Sequence, residues 1–135
     1  MSGRMRPAAL ANKLGELGRA LAELPAAFGP AEWAKTVVVV VSEFGRTMRE
    51  NGARGTDHGH GSVYLVLGGS LAAQPVVVGE QVALRASNLN QNRDLPVLNE
   101  YRAWLGGIVA LQFGLGADAV QSIFPATTPR SLGLI

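Results

Sequence analysis

The segment Thr36–Gly61 reads TVVVVVSEFGRTMRENGARGTDHGHG, and its opening valines decide the fold class. Five consecutive β-branched residues, Val37–Val41, are stiff at χ1 and disfavour a helix. No polar residue alternates with them, which is the pattern of a strand covered on both faces, as in the centre of a parallel sheet. The strand ends at an acid, Glu43. A basic, glycine-rich stretch follows with Arg46, Arg49 and Arg54, and then Asp57, His58 and His60 fall within four positions. Both histidines of the chain lie in this segment.

Upstream, leucines at 10, 14, 17, 21 and 24 fall on one face of a helix over Pro7–Leu24, with Pro7 suited to its first turn and Pro25 to its stop. A helix laid against a sheet accounts for that spacing; a coiled-coil seam is the sharper alternative, over only two heptads. Gly29 and Pro30 mark a linker, and Trp33 reads as a packing anchor. Downstream, Ser62–Leu67 is a second apolar strand and Pro75–Val78 a third, shorter one. Residues 86–94 (ASNLNQNRD) read as loop, with Asp94 or its neighbours placed to cap a helix over roughly Val97–Phe113. Tyr101, Trp104, Leu105, Ile108 and Leu111 are its expected inner face. Gly106 and Gly107 weaken it by about 1 kcal/mol each relative to Ala and leave room for a neighbouring element. A turn at Asp118–Phe124 leads into the tail. This order is α/β: a few mostly parallel strands with flanking helices, in one domain over 1–135.

The chain has 135 residues, 47% hydrophobic and 16% charged, enough for a folded core and unlike a disordered segment. It has no cysteine, so disulfides and thiolate metal sites are excluded. The net charge of +2 is dispersed, which argues against a nucleic-acid surface. No apolar run approaches the roughly 20 residues of a membrane span.

In open α/β sheets ligands collect past the carboxyl ends of strands, where Glu43 sits. A carboxylate there can bind a cation or act as a general base; alternatively it caps a turn or pairs with Arg46 or Arg49. Asp57, His58 and His60, hedged by Gly55, Gly59 and Gly61, offer oxygen and nitrogen ligands that suit zinc, iron or manganese, with calcium a further option. The alternative is a glycine-rich turn with a histidine bonded to backbone. The arginines can grip phosphate or sulfate oxygens, or be solvated loop charges. Ser42, Thr47 and Thr56 lack a nucleophile-elbow motif, and no phosphate-cradling loop is present.

These residues resemble the signature of the domain-of-unknown-function 1501 family of bacterial proteins: Ser42, Glu43, Phe44, Gly45, Arg46 and Thr47, then Asn51, Gly52, Gly55, Asp57 and His58. VLGGSL at 66–71, NRDLPVLNEYRAWLG at 92–106 and IFP at 123–125 extend the resemblance over most of the chain. The family is similar to the alkaline phosphatase and sulfatase superfamily, whose members fold as an α/β sandwich and bind divalent metals at strand ends. The resemblance implies metal ligands at Glu43, Asp57, His58 and His60, an anion contact at Arg46, and a phosphate or sulfate ester, small or polymeric, as substrate. Phe44 stands where the superfamily carries a ligand histidine, and Asn99 where the family carries aspartate. The match covers the family's C-terminal third, so the resemblance implies a portion without the nucleophile, inactive alone. Full-length members carry twin-arginine export signals, implying a periplasmic or secreted protein; the chain read as complete has no such signal and would be cytoplasmic. The alternative function is a non-catalytic module that self-associates through an exposed sheet edge.

Overall fold

The computed structural model describes residues 9–72 and 77–135. Helix α1 spans Ala9–Phe28, and the short α2 spans Pro30–Trp33. Strands follow at Val38–Val40 (β1), Gly45–Arg46 (β2), His58–Gly59 (β3) and Leu65–Leu67 (β4). Helices α3 (Tyr101–Phe113) and α4 (Ala117–Ile123) complete the order. The architecture is a mixture of helices and small antiparallel sheets, an α/β class.

The expected parallel arrangement is corrected. β1 pairs with β4 antiparallel, Val39 opposite Val66, and β2 pairs with β3 antiparallel, Gly45 opposite Gly59. The reason lies in the connection. Parallel neighbours need a long crossover, usually a helix, and residues 41–64 contain only the β2–β3 pair before the chain returns beside β1. The valine run is half-buried on both faces over Val38–Val40 rather than fully covered.

Four further expectations shift. Helix α1 runs through Pro25 to Phe28. Pro25 has no N–H for the Leu21 carbonyl, but one turn from the end this loses a single bond on an exposed helix. The expected strand at Pro75–Val78 lies partly outside the described residues, and Val77 and Val78 are in no ladder. Helix α3 starts at Tyr101, not Val97, and its cap is Glu100, whose side chain accepts the Arg102 N–H; Asp94 is used elsewhere. The turn expected at Asp118–Phe124 is helix α4.

The closed apolar core is small: Trp104, Ile108 and Val120. Gly106 sits against Val120 and Phe124, and a Cβ at Gly107 would strike the Arg130 carbonyl, so this glycine pair does seat α4 and the tail against α3. Tyr64 tilts onto Trp104 at 5.5 Å between ring centroids, joining α3 to the chain before β4. Tyr101 and Leu111, expected inside, are exposed. Among the described elements α1 packs only on α2. The accessible surface is 9580 Å², well above the about 6,700 Å² that size scaling gives for this mass.

Candidate active site

The segment after β1 folds as a compact polar layer. β2 runs beside β3, and the chain at 93–95 crosses both: Thr47 bridges Asp94, the Met48 N–H donates to the Arg93 carbonyl, and the Gly61 N–H donates to the Leu95 carbonyl at 2.7 Å. The glycines of the motif make this approach possible. A Cβ on Gly45 would strike the Gly61 carbonyl, one on Gly59 would lie 2.7 Å from the Asp94 Cβ, and one on Gly61 would lie 2.8 Å from the Leu95 carbonyl. They are small because three backbone segments meet, not because side chains converge on one point.

Between β2 and β3, Asn51 organises the loop. Its Oδ1 accepts the N–H groups of Ala53 and Gly55, both at 3.0 Å, and its Nδ2 donates to Asp57 at 2.9 Å. Thr47 Oγ1 accepts the Asp57 N–H at 3.0 Å and donates to the Arg49 carbonyl. Arg49 donates to the carbonyl and side chain of Asn92. Ser42 is likewise occupied by the main chain of Phe44. These hydroxyls brace the loop.

The predicted residues then separate into two groups. Glu43 and His60 line one cleft of about 940 Å³, walled also by Tyr64, Glu80, Arg102 and Trp104. Asp57, His58 and Arg46 lie outside it. The His58 ring stacks on Phe44, 4.3 Å between centroids and 7° from parallel. Phe44 thus covers one face of an imidazole. Arg46 donates to the Thr56 carbonyl at 3.2 Å and is otherwise exposed. Among the described residues no three His, Asp or Glu side chains are grouped to hold one ion. A metal at the cleft would therefore take Glu43 and His60 from this wall and further ligands from beyond it.

The residue that sequence reading misplaced is Asp94. It is fully buried, and its Oδ2 accepts the His60 main-chain N–H at 2.6 Å and lies 2.8 Å from His60 Nδ1. Arg93 Nε donates to its other oxygen at 3.4 Å. The His60 main-chain bond, then the ring contact and Arg93, hold the Asp94 carboxyl below its ordinary value of 3.8, while burial opposes them. An acceptor-only anion assigns the proton of His60 to Nδ1. With the proton on Nδ1, the Asn90 Nδ2, 2.9 Å from the same nitrogen, packs beside it without a hydrogen bond. Asn90 and Asp94 are brought side by side by a tight turn with Gln91 and Asn92 at φ 50° and 55°, closed by the Arg93 N–H on the Asn90 carbonyl. Two left-handed residues are the mark of a type I′ turn, and NQNR was the available signal.

A family model described as a protein of unknown function (DUF1501) matches residues 5–124. The chain belongs to the DUF1501 family. No curated protein and no solved structure matches it. The matched span takes in the SEFGRT strand exit, the GTDHGHG turn and the NRDL turn, the three DUF1501 segments that this fold brings together.

Elsewhere on the cleft Arg102 forms a two-pronged pair with Glu100, both bonds 3.0 Å. The Arg102 side chain and then its N–H draw the Glu100 carboxyl below its ordinary value, and Glu100 raises the guanidinium. Asn99 clasps the loop opposite, accepting the Glu80 N–H and donating to the Glu80 carbonyl at 2.8 and 2.9 Å. Asparagine has both a donor and an acceptor for that clasp; aspartate would lose one bond. No helix of the described residues is long and apolar enough to cross a membrane.

Proposed function

We propose that this chain forms one wall of a metal-dependent phosphatase- or sulfatase-like ester hydrolase, as the C-terminal portion of a larger alkaline-phosphatase-like site. The observation that carries the reading is His60, bound through Nδ1 to a buried carboxylate and sharing a cleft with Glu43. A ligand histidine is typically held in this way, its second nitrogen bonded to a carboxylate behind it. His60 Nε2 and the Glu43 carboxylate are the proposed first ligands; Asp57 and His58 lie outside their cleft, so the remaining ligands would come from beyond this wall. When bound, zinc, manganese or calcium would polarise the ester oxygen and lower the pKa of an attacking water. Arg46, with guanidinium N–H groups still in solvent, would contact the anionic group. Ser42 and Thr47 are committed to the backbone, and in this reading the oxygen nucleophile would come from beyond this wall.

Zinc titration followed by calorimetry, with nitrophenyl phosphate and sulfate assays, tests this. Zinc binding that is lost in His60→Ala, with no turnover by the chain alone, is the expected result. Efficient turnover by the isolated chain, or zinc binding indifferent to His60, would overturn it.

A second reading, self-association, is favoured by the two-stranded sheets. Among the described residues β1 and β4 each have one strand partner, which leaves one edge of each without a strand. Size-exclusion chromatography with light scattering decides it, and a monomer at every concentration counts against it.

A further inference from the structure

Asp94 sits outside the residues proposed to touch metal or substrate, yet the polar layer is built around it. It is fully buried, while the His60 side chain is 60% exposed. Thr47 lies opposite it in an antiparallel bridge. The 90–94 turn fixes its backbone, with the Asn90 N–H on the Asp94 carbonyl at 2.8 Å. The missing Cβ of Gly59 leaves the space its own Cβ approaches. One carboxylate oxygen, Oδ2, faces both the main-chain nitrogen and the ring Nδ1 of His60. Holding backbone and ring together leaves the imidazole little freedom about χ1 and χ2.

We infer that Asp94 is a positioning residue that fixes His60 as the Nδ1–H tautomer and presents the unprotonated Nε2 to the cleft. The ligand role of that nitrogen rests on the function proposed above; the tautomer does not. A carboxylate that only anchored the loop would need the main-chain bond alone. The ring bond adds nothing to the backbone path, and its consequence is to choose which nitrogen is free. His58 provides an internal comparison: its ring stacks on Phe44 and has no carboxylate behind it among the described residues.

Long-range 15N–1H spectra of histidine-labelled, chelator-treated protein, recorded above the ordinary histidine pKa of about 6.5, report the tautomer of each ring without metal. His60 is expected as Nδ1–H and His58 as predominantly Nε2–H. Asp94→Asn is expected to move His60 towards Nε2–H and leave His58 unchanged, while Asn90→Ala keeps His60 as Nδ1–H. Wild-type His60 in the Nε2–H form overturns the inference, as does a folded Asp94→Asn protein with an unchanged His60 pattern. Loss of Nδ1–H in Asn90→Ala would transfer the role to Asn90 and also overturn it. Should Asp94→Asn not fold, the wild-type and Asn90→Ala spectra decide. Failed zinc binding would remove the proposed function and leave this result standing.

Discussion

The polar layer around Asp94 and the apolar elements α1, β1 and β4 have opposite characters. In the first, short extended segments are closed against one another. Gly45, Thr47, Gly61 and Asp94 are buried, and Asn51, Arg49 and Arg93 tie the loops to main-chain or side-chain acceptors. In the second, a 20-residue helix leaves no side chain fully buried from Leu10 onward, and among the described residues β1 and β4 each have one edge without a strand. The difference shows which part is self-sufficient. Hydrogen bonds between these segments, many of them 34 to 43 positions apart, are satisfied inside this chain. An amphipathic helix and a valine strand need an apolar partner, because most helical stability in proteins comes from packing one face.

The largest effect is expected where the apolar side does close. Trp104→Ala removes the side chain on which Tyr64 and α3 rest, and should cost about 3–5 kcal/mol, read as a lowered denaturation midpoint. If it costs little, the apolar elements have no core of their own and the contrast deepens. Gly59→Ala drives a methyl into Asp94 and the Arg46 backbone and should cost about 1–3 kcal/mol, measured the same way. A neutral result would mean that the polar layer is loose.

Acid should act on the same layer. Asp94 has its native pKa below 3.8, so its contribution is present above the unfolded value and is lost as pH falls through the native one. Wild-type stability should therefore drop as pH is lowered from about 5 towards 2. The Asp94→Asn protein should show a flatter profile over that range, followed by circular dichroism at each pH. Equal slopes would remove Asp94 from the acid response and leave Glu100, also held low, as its carrier. The smallest effect is expected in α1. Leu14 is 58% exposed, and Leu14→Gln should change stability by no more than about 0.5 kcal/mol. A large loss would show that the helix face is covered in solution.

Much of this contrast is legible in the residues. The valine run reads as strand, and β1 lies within it. The leucine spacing reads as helix, and α1 follows it, overrunning Pro25 because one missing bond near an exposed end is tolerated. The motif residues Glu43 and His60 do share a cleft, though Asp57 and His58 face another way. Strand direction was not legible, since a buried-looking apolar run suits either hand of pairing and only the connection chooses. Asp94 was not legible either: its neighbours suggested a helix cap, and the contact that matters spans 34 positions, to His60.

The sequence by itself determined where the candidate ligand groups lie, because Glu43, Asp57 and both histidines fall in Glu43–Gly61 and no other segment supplies histidine. It also determined α1, β1, β4 and α3 in outline, since χ1 stiffness and apolar spacing act locally. Only the tertiary structure decided which of those groups face one cleft, that the strands run antiparallel, and that a buried aspartate stands behind His60. Each of these depends on which backbone segments approach one another, and that is set by packing between residues far apart in the chain.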